Sequence, residues 1–350
     1  MKKIIAIGNS IAAVRALEEI RRRDKESEIT LFCEENHLPY NRFLFGDLLT
    51  KTIAEDKIFY KAAGFYKEQN ILTILGKRIA RVDFKKNRIT TEEKEQVLFD
   101  ALLIANTGHD RFPDVKGTNK MGVFGLRRLG DMKDILSILH LVDVVVIQAN
   151  TIDGLKVAEG LRVKNKDVVL VIPSPQLLSG ILDGETAEAI LKYLEENGVR
   201  VIRGSSVTEI LGEGEVKAAR LNTGKVLASQ MVIFGDTVPD LRLFNDSPLE
   251  RKGGILADEY FRTSMEGVFA VDAVFEPRVS LPNVFWSLSG LEEQGRVAGL
   301  NMLGDATAFV RPSAEVNFKI FKWTVGAAGI TRAAGETQEQ AKPEPVAPGA

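Results

Sequence analysis

The first 34 residues limit what this chain can fold into more than any other segment. Lys3-Ile-Ile-Ala-Ile7 is an unbroken apolar run of the kind needed by a strand buried on both faces. Gly8-Asn-Ser10-Ile11-Ala12-Ala13 follows at once. A helical stretch then carries Val14, Leu17 and Ile20 on one face and charged residues on the other, through Arg23. Glu28–Phe32 is the next strand, and Glu34 stands just past its end. Strand, tight turn, helix, strand and acid in this order predict a βαβ unit of the dinucleotide-binding kind. Gly8 supplies the tight turn. Ser10 stands where a second glycine would let backbone approach a pyrophosphate, and Ala13 is small enough for close helix packing. The amides opening the helix favour an anion, and Glu34 can accept a hydrogen bond from a ribose hydroxyl.

The pattern recurs. After Val142, a strand at 143–147, a helix at 154–163 and a strand at 168–172 form a second unit. A helix at 184–197, a strand at 199–202, a meander over 206–228 and a last buried strand at 231–234 follow. In the first half, a helix is expected over 55–70, strands at 71–75 and 101–105, and a hairpin over 79–91. The fold class is therefore α/β, with two Rossmann-like domains that each combine a parallel sheet with a β-meander. The expected domains are 1–117 with 243–308 for the first nucleotide and 118–242 for the second, with a helix at 291–303 in the returning segment. Residues 333–350, rich in Pro, Ala and Glu without apolar periodicity, read as a disordered tail.

Several chemistries are excluded. Lysine and arginine number 46 against 48 acids, with no long block of one sign, so no footprint for nucleic acid or an anionic membrane exists. The N-terminal apolar run is too short for a signal peptide, and no run suits a membrane helix, so a cytoplasmic location is expected. Cys33 is the single cysteine. No internal disulfide, CxxC pair or cysteine-ligated cluster can be built, and Cys33 reads as a small buried hydrophobe. His37, His109 and His140 are scattered without metal spacing, and Ser205, Ser206, Ser287 and Ser289 lack a paired His and acid.

Further segments carry a resemblance. These are Glu34-Glu-Asn-His-Leu-Pro-Tyr-Asn-Arg42, Leu103-Ile-Ala-Asn-Thr-Gly108, Gly253–Thr263, Val268–Asp272 and Glu293-Gln-Gly-Arg-Val-Ala298. With the Gly8–Ala13 turn and in this order, over roughly residues 1–308, the chain resembles the pyridine nucleotide-disulfide oxidoreductase superfamily. The rubredoxin, ferredoxin and nitrite reductase flavoproteins are its nearest branch. The resemblance implies FAD in the first unit, with Gly8, Ser10, Ile11, Ala12 and Ala13 around its pyrophosphate and Glu34 at the adenosine ribose. It places Arg42 near the FAD phosphates, Thr107 and Gly108 at the cofactor's flank, and Asp272 on the ribityl chain. Glu35, Ile79 and Asn106 complete the implied set, and the helix from Glu293 would aim its positive end at the isoalloxazine. Val271 stands where the family has glycine, and Asp47 where it often has a lysine. Trp286 either stacks near the flavin or packs in the core.

The second turn departs from the pattern. Gln148-Ala-Asn-Thr-Ile-Asp-Gly154 replaces its glycines, and Val171-Ile-Pro-Ser174 lacks the acid that grips an NAD ribose. Side chains in the pyrophosphate volume and the charge of Asp153 make NAD(P) binding unlikely on this reading. The family's interface domain is largely missing, with 309–332 as a remnant whose Phe318, Phe321 and Trp323 pack on this chain or on another subunit. The expected function is an FAD-containing electron-transfer flavoprotein that exchanges electrons with a redox protein, an iron–sulfur subunit by class. A hetero-oligomer is expected rather than the family homodimer. The alternatives are an NAD(P)H-dependent rubredoxin or ferredoxin reductase, and a non-catalytic FAD-binding structural subunit.

Overall fold

The computed structural model describes residues 1–106, 109–110, 115–179, 181–278, 287–310 and 316–327. The chain divides into two compact units. The first comprises Met1–Asn41, Phe59–His109 and Val238–Pro312; the second comprises Arg42–Ile58, Asp110–Thr237 and the chain from Ser313.

In the first unit, β1 (Lys3–Ile7) leads through Gly8 to α1 (Ile11–Arg23) and then to β2 (Glu28–Cys33). The Ser10 hydroxyl caps α1 by accepting from the Ala13 amide at 3.2 Å, and Arg21, Arg22 and Arg23 complement the dipole at the other end. Ala13, Val14, Leu17 and Ile20 are fully buried. Arg21 is buried too, and its guanidinium donates to the carbonyls of Asp24, Ser27, Gln69 and Asn70 at 2.8–3.0 Å. It thereby ties the end of α1 to the entry of β3 (Ile71–Leu75). The strand β4 (Ala101–Ile104) pairs in parallel with β1, and the antiparallel strands 79–83, 88–91 and 96–98 form the expected meander between β3 and β4.

Glu19, only 3% exposed, is bonded by Arg22 at 2.5 Å, with Arg23 and Arg15 at 3.4 and 4.0 Å. The Arg22 hydrogen bond holds its carboxyl below the ordinary value against the opposing effect of burial. A lowered carboxyl pKa contributes stability that is complete above the unfolded value near about 4.3 and is lost as pH falls through the folded value. Glu19→Gln should therefore cost about 1 kcal/mol at neutral pH and nothing at the acid end of that window. Urea unfolding at both pH values checks this; an equal deficit at each would refute it.

The expected continuous helix over 55–70 is absent. Glu55–Ile58 is a single 3₁₀ turn and Phe65–Glu68 a single helical turn. The chain passes from the second unit to the first between Ile58 and Phe59, and the Tyr60 amide donates to Pro39 O at 2.7 Å instead of a helical carbonyl.

The second unit contains β5 (Val123–Gly125), β6 (Val144–Gln148), α2 (Ile152–Val163), β7 (Asp167–Ile172), α3 (Gly184–Glu196), β8 (Val199–Arg203) and β9 (Met231–Phe234). Its sheet is parallel throughout in the order β8-β7-β6-β9-β5. Val145, Val146 and Ile147 of β6 are fully buried, as are Leu155, Val157, Ala158 and Leu161 of α2. The three-stranded meander over 207–211, 218–221 and 226–228 supplies Val207, Ile210 and Ala219 to the core on one face of this sheet.

The chain then returns to complete the first unit with β10 (Val268–Ala270) and α4 (Leu288–Met302). The sheet order becomes β10-β4-β1-β2-β3, again all parallel. The helix α4 begins three residues before the predicted start because the Ser287 hydroxyl accepts from the Gly290 amide at 3.1 Å. It lies on α1 through small residues. A side chain begun at Gly295 would meet Ala12 O at 2.2 Å, and one at Gly299 would meet Ala16 O at 2.6 Å. Finally β11 (Val316–Ile320) and β12 (Trp323–Ala327) form a hairpin within the second unit. Trp323 stacks on Tyr193 of α3 with ring centroids 4.1 Å apart, and the Phe321 amide donates to Glu159 of α2 at 2.8 Å. These aromatic residues thus pack on this chain's own helices. The α/β fold with two Rossmann-like units is the one predicted, and no helix among the described residues is long and apolar enough to cross a membrane.

Candidate dinucleotide site

At the end of β1, the Gly8 amide donates to Phe32 O at 2.8 Å and the backbone turns through φ +104°. A side chain there would begin 2.4 Å from Ala105 O and 2.6 Å from the Asn106 Cα, so only glycine lets β1 and β4 end side by side. Ser10, Ile11 and Ala12 are buried in the turn and first helical residues. Asn9 is held on two sides: its Nδ2 donates to His37 O at 3.0 Å, and its Oδ1 accepts from the Tyr66 hydroxyl. Both partners went unnoticed in the sequence because they lie 28 and 57 residues away.

The other expected residues distribute unevenly. Glu34 is exposed beyond β2, 3.8 Å from Arg78, and Glu35 accepts from the Tyr40 hydroxyl at 3.0 Å. Ile79 lies in the apolar core with Ile5 and Phe32. Asn106 donates from Nδ2 to Asp240 O at 3.1 Å, while its buried Oδ1 has no hydrogen-bond partner. Thr107, Gly108 and Trp286 lie outside the described residues. Asp272 is buried at φ +61°, its Oδ1 accepting from the Ala273 amide at 2.6 Å. Its own amide donates to Gln294 Oε1 at 2.9 Å. Gln294 is fully buried, and its Nε2 has no partner. Glu293 is paired with Arg296 at 2.6 Å. Cys33 ends β2 with its thiol pushed up to about 11, chiefly by burial, so it is not a thiolate at neutral pH.

Arg42 belongs to the second unit, 3.4 Å from Asp153 in the first turn of α2. Burial pushes the Asp153 carboxyl up, while Arg42 and Arg127 pull it down. The turn between β6 and α2 is tied to the segments beside it. The Asn150 amide donates to Asp236 Oδ1 at 3.0 Å, its Oδ1 accepts from the Leu178 amide at 2.7 Å, and its Nδ2 donates to Gln176 O at 3.3 Å. Thr151 caps α2 by accepting from the Gly154 amide at 3.1 Å and donates to Gly235 O at 3.3 Å. Gln148 differs from the expectation that it fills a pyrophosphate volume. Its side chain is buried and accepts from the Val207 amide at 2.6 Å, which fastens the meander to the sheet.

The sequence profile described as pyridine nucleotide-disulphide oxidoreductase matches residues 2–284, most of the chain. The chain belongs to that family. One relative is the NADH oxidase of Methanocaldococcus jannaschii, 28% identical over 94% of this chain and 76% of that protein. The assimilatory nitrate reductase electron transfer subunit of Bacillus subtilis is 24% identical over 87% of this chain but only 39% of its own length. The fold matches the ferredoxin reductase for the CYP199A2 system from Rhodopseudomonas palustris with a TM-score of 0.87, at 20% identity, over 97% of this chain and 84% of that one. Membership makes the chain one of a flavin-dependent family of oxidoreductases. The expectation that NAD(P) is unlikely finds no support among these relatives, one of which is named for NADH.

Proposed function

We propose that the chain holds FAD in its first unit and exchanges electrons between that flavin and a separate redox protein, an iron–sulfur protein by class. The Gly8 turn carries this reading. Its close approach to Ala105 and Asn106 leaves main chain, with no Cβ, at the mouth of a capped helix, as a pyrophosphate requires. The buried Asn106 Oδ1 fits a hydroxyl or N–H donor of a bound cofactor. Flavin supplies two-electron uptake and one-electron release when bound. The chain's part is to bind and orient it: the Gly8–Ala13 turn at the phosphates, Glu34 at the ribose and Asp272 at the ribityl chain. A hetero-oligomer with the redox partner goes with this reading.

We further infer that the second unit holds nicotinamide dinucleotide weakly. Asn150 and Thr151 already spend their polar groups on Asp236, Gln176, Leu178, Gly235 and Gly154, and the bulk of these side chains stands where a glycine turn would let a pyrophosphate approach main chain. The second reading, an NAD(P)H-dependent reductase, is favoured by the name of the archaeal relative. Anaerobic titration of the FAD-loaded protein with NADH and NADPH separates the two. Stoichiometric nucleotide should leave the visible flavin absorbance unchanged while dithionite bleaches it. Prompt bleaching by either nucleotide would establish the second reading, and a protein that refuses FAD would end both.

A further inference from the structure

We propose that Gln294, rather than Glu293, is the α4 residue that positions the cofactor, its Nε2 donating to an oxygen of the pyrophosphate–ribityl portion. This rests on the FAD reading above. Gln294 is fully buried on the face of α4 that carries Leu291 and Ala298, where an amide is costly unless both its ends are satisfied. One end is satisfied: Oε1 accepts from the Asp272 amide at 2.9 Å. The other, Nε2, has no acceptor. Its place is known from both sides. The neighbouring Gly295 lies against Ala12 O in the first turn of α1, and Asp272 lies at the end of β10 beside β4. The unmet donor therefore sits between the opening of α1 and Asp272. Asn106, whose Cα adjoins Gly8, carries an unmet acceptor in its Oδ1. One donor and one acceptor left open in the same unit match a ligand that offers anionic or hydroxyl oxygens to the first and a hydroxyl or N–H to the second. Glu293 offers neither, since its carboxylate is spent on Arg296.

The test is FAD binding by apoprotein, followed through quenching of flavin fluorescence, for wild type, Gln294→Glu and Gln294→Met. Gln294→Glu keeps an acceptor for the Asp272 amide and loses the donor when ionised. Its dissociation constant for FAD should rise at least tenfold at neutral pH, the loss of one charge-assisted hydrogen bond. It should recover as pH is lowered and the carboxyl regains a proton to donate, while wild type stays flat over the same range. Apoprotein melting should fall for Gln294→Glu at neutral pH, where an ionised carboxyl is buried, and recover as pH is lowered; Gln294→Met, which loses the Asp272 contact, should melt lower and bind FAD as weakly at every pH. A Gln294→Glu constant within twofold of wild type, or one without pH dependence, overturns the assignment and leaves the FAD reading standing. Wild type that takes up no FAD overturns both.

Discussion

Gly8→Val should yield a protein without flavin, and one less stable by at least about 3 kcal/mol. Two effects add. A β-branched residue at φ +104° is strained by about 1–3 kcal/mol. Its Cβ would also begin 2.4 Å from Ala105 O, a main-chain atom of the adjoining strand that cannot swing aside like a side-chain end. The ends of β1 and β4 must part. That removes the Gly8 amide from Phe32 O, shifts Asn106, and turns the first amides of α1 off the cofactor. FAD affinity should fall more than a hundredfold, since more than one charge-assisted contact is lost at about 1.5–3 kcal/mol each. The flavin-to-protein ratio on purification and the melting temperature are the two measurements. A yellow variant with wild-type stoichiometry would refute the assignment of this turn to a pyrophosphate.

Arg21→Ala should cost about 3–5 kcal/mol in urea unfolding with the denaturant slope unchanged. Arg21 is 3% exposed, and its guanidinium serves four carbonyls at once. Truncation leaves these carbonyls, that of Ser27 buried, without their shared donor and opens a cavity that the end of α1 and the start of β3 cannot close without shifting. Because Arg21 lies at the opposite end of α1 from Ser10, FAD affinity of the folded variant should stay within about threefold of wild type, well under 1 kcal/mol. A midpoint shift equivalent to less than 1 kcal/mol would show that water can satisfy the four carbonyls.

The two βαβ units were legible because their signals are local. Apolar runs and a 3.6-residue stripe fall within 35 residues in each, and in the first a glycine follows the strand. What escaped is long-range. The Gln148 side chain has a readable volume, but its direction depends on Val207, 59 residues on. The pairing of Arg42 with Asp153 joins segments that no period links. The segment 55–70 has helical spacing but crosses between units, so its amides find other carbonyls. Gln294 could have been found: a lone amide on the buried stripe of α4, one residue from the chosen Glu293, is itself a sign of an unmet bond.

The seam of Gly295 and Gly299 against Ala12 and Ala16 bears on how the molecule is made. The first unit draws its turn from the start of the chain and its closing strand and helix from beyond residue 267, whereas Asp110–Thr237 runs through the second without a break. During synthesis the central segment can collapse while β1, α1 and β2 still wait for their last partners. Flavin capture is then a late event, set by the emergence of residues near 302, and a chain stalled before them should leave the ribosome as a folded middle with an open, flavin-free beginning.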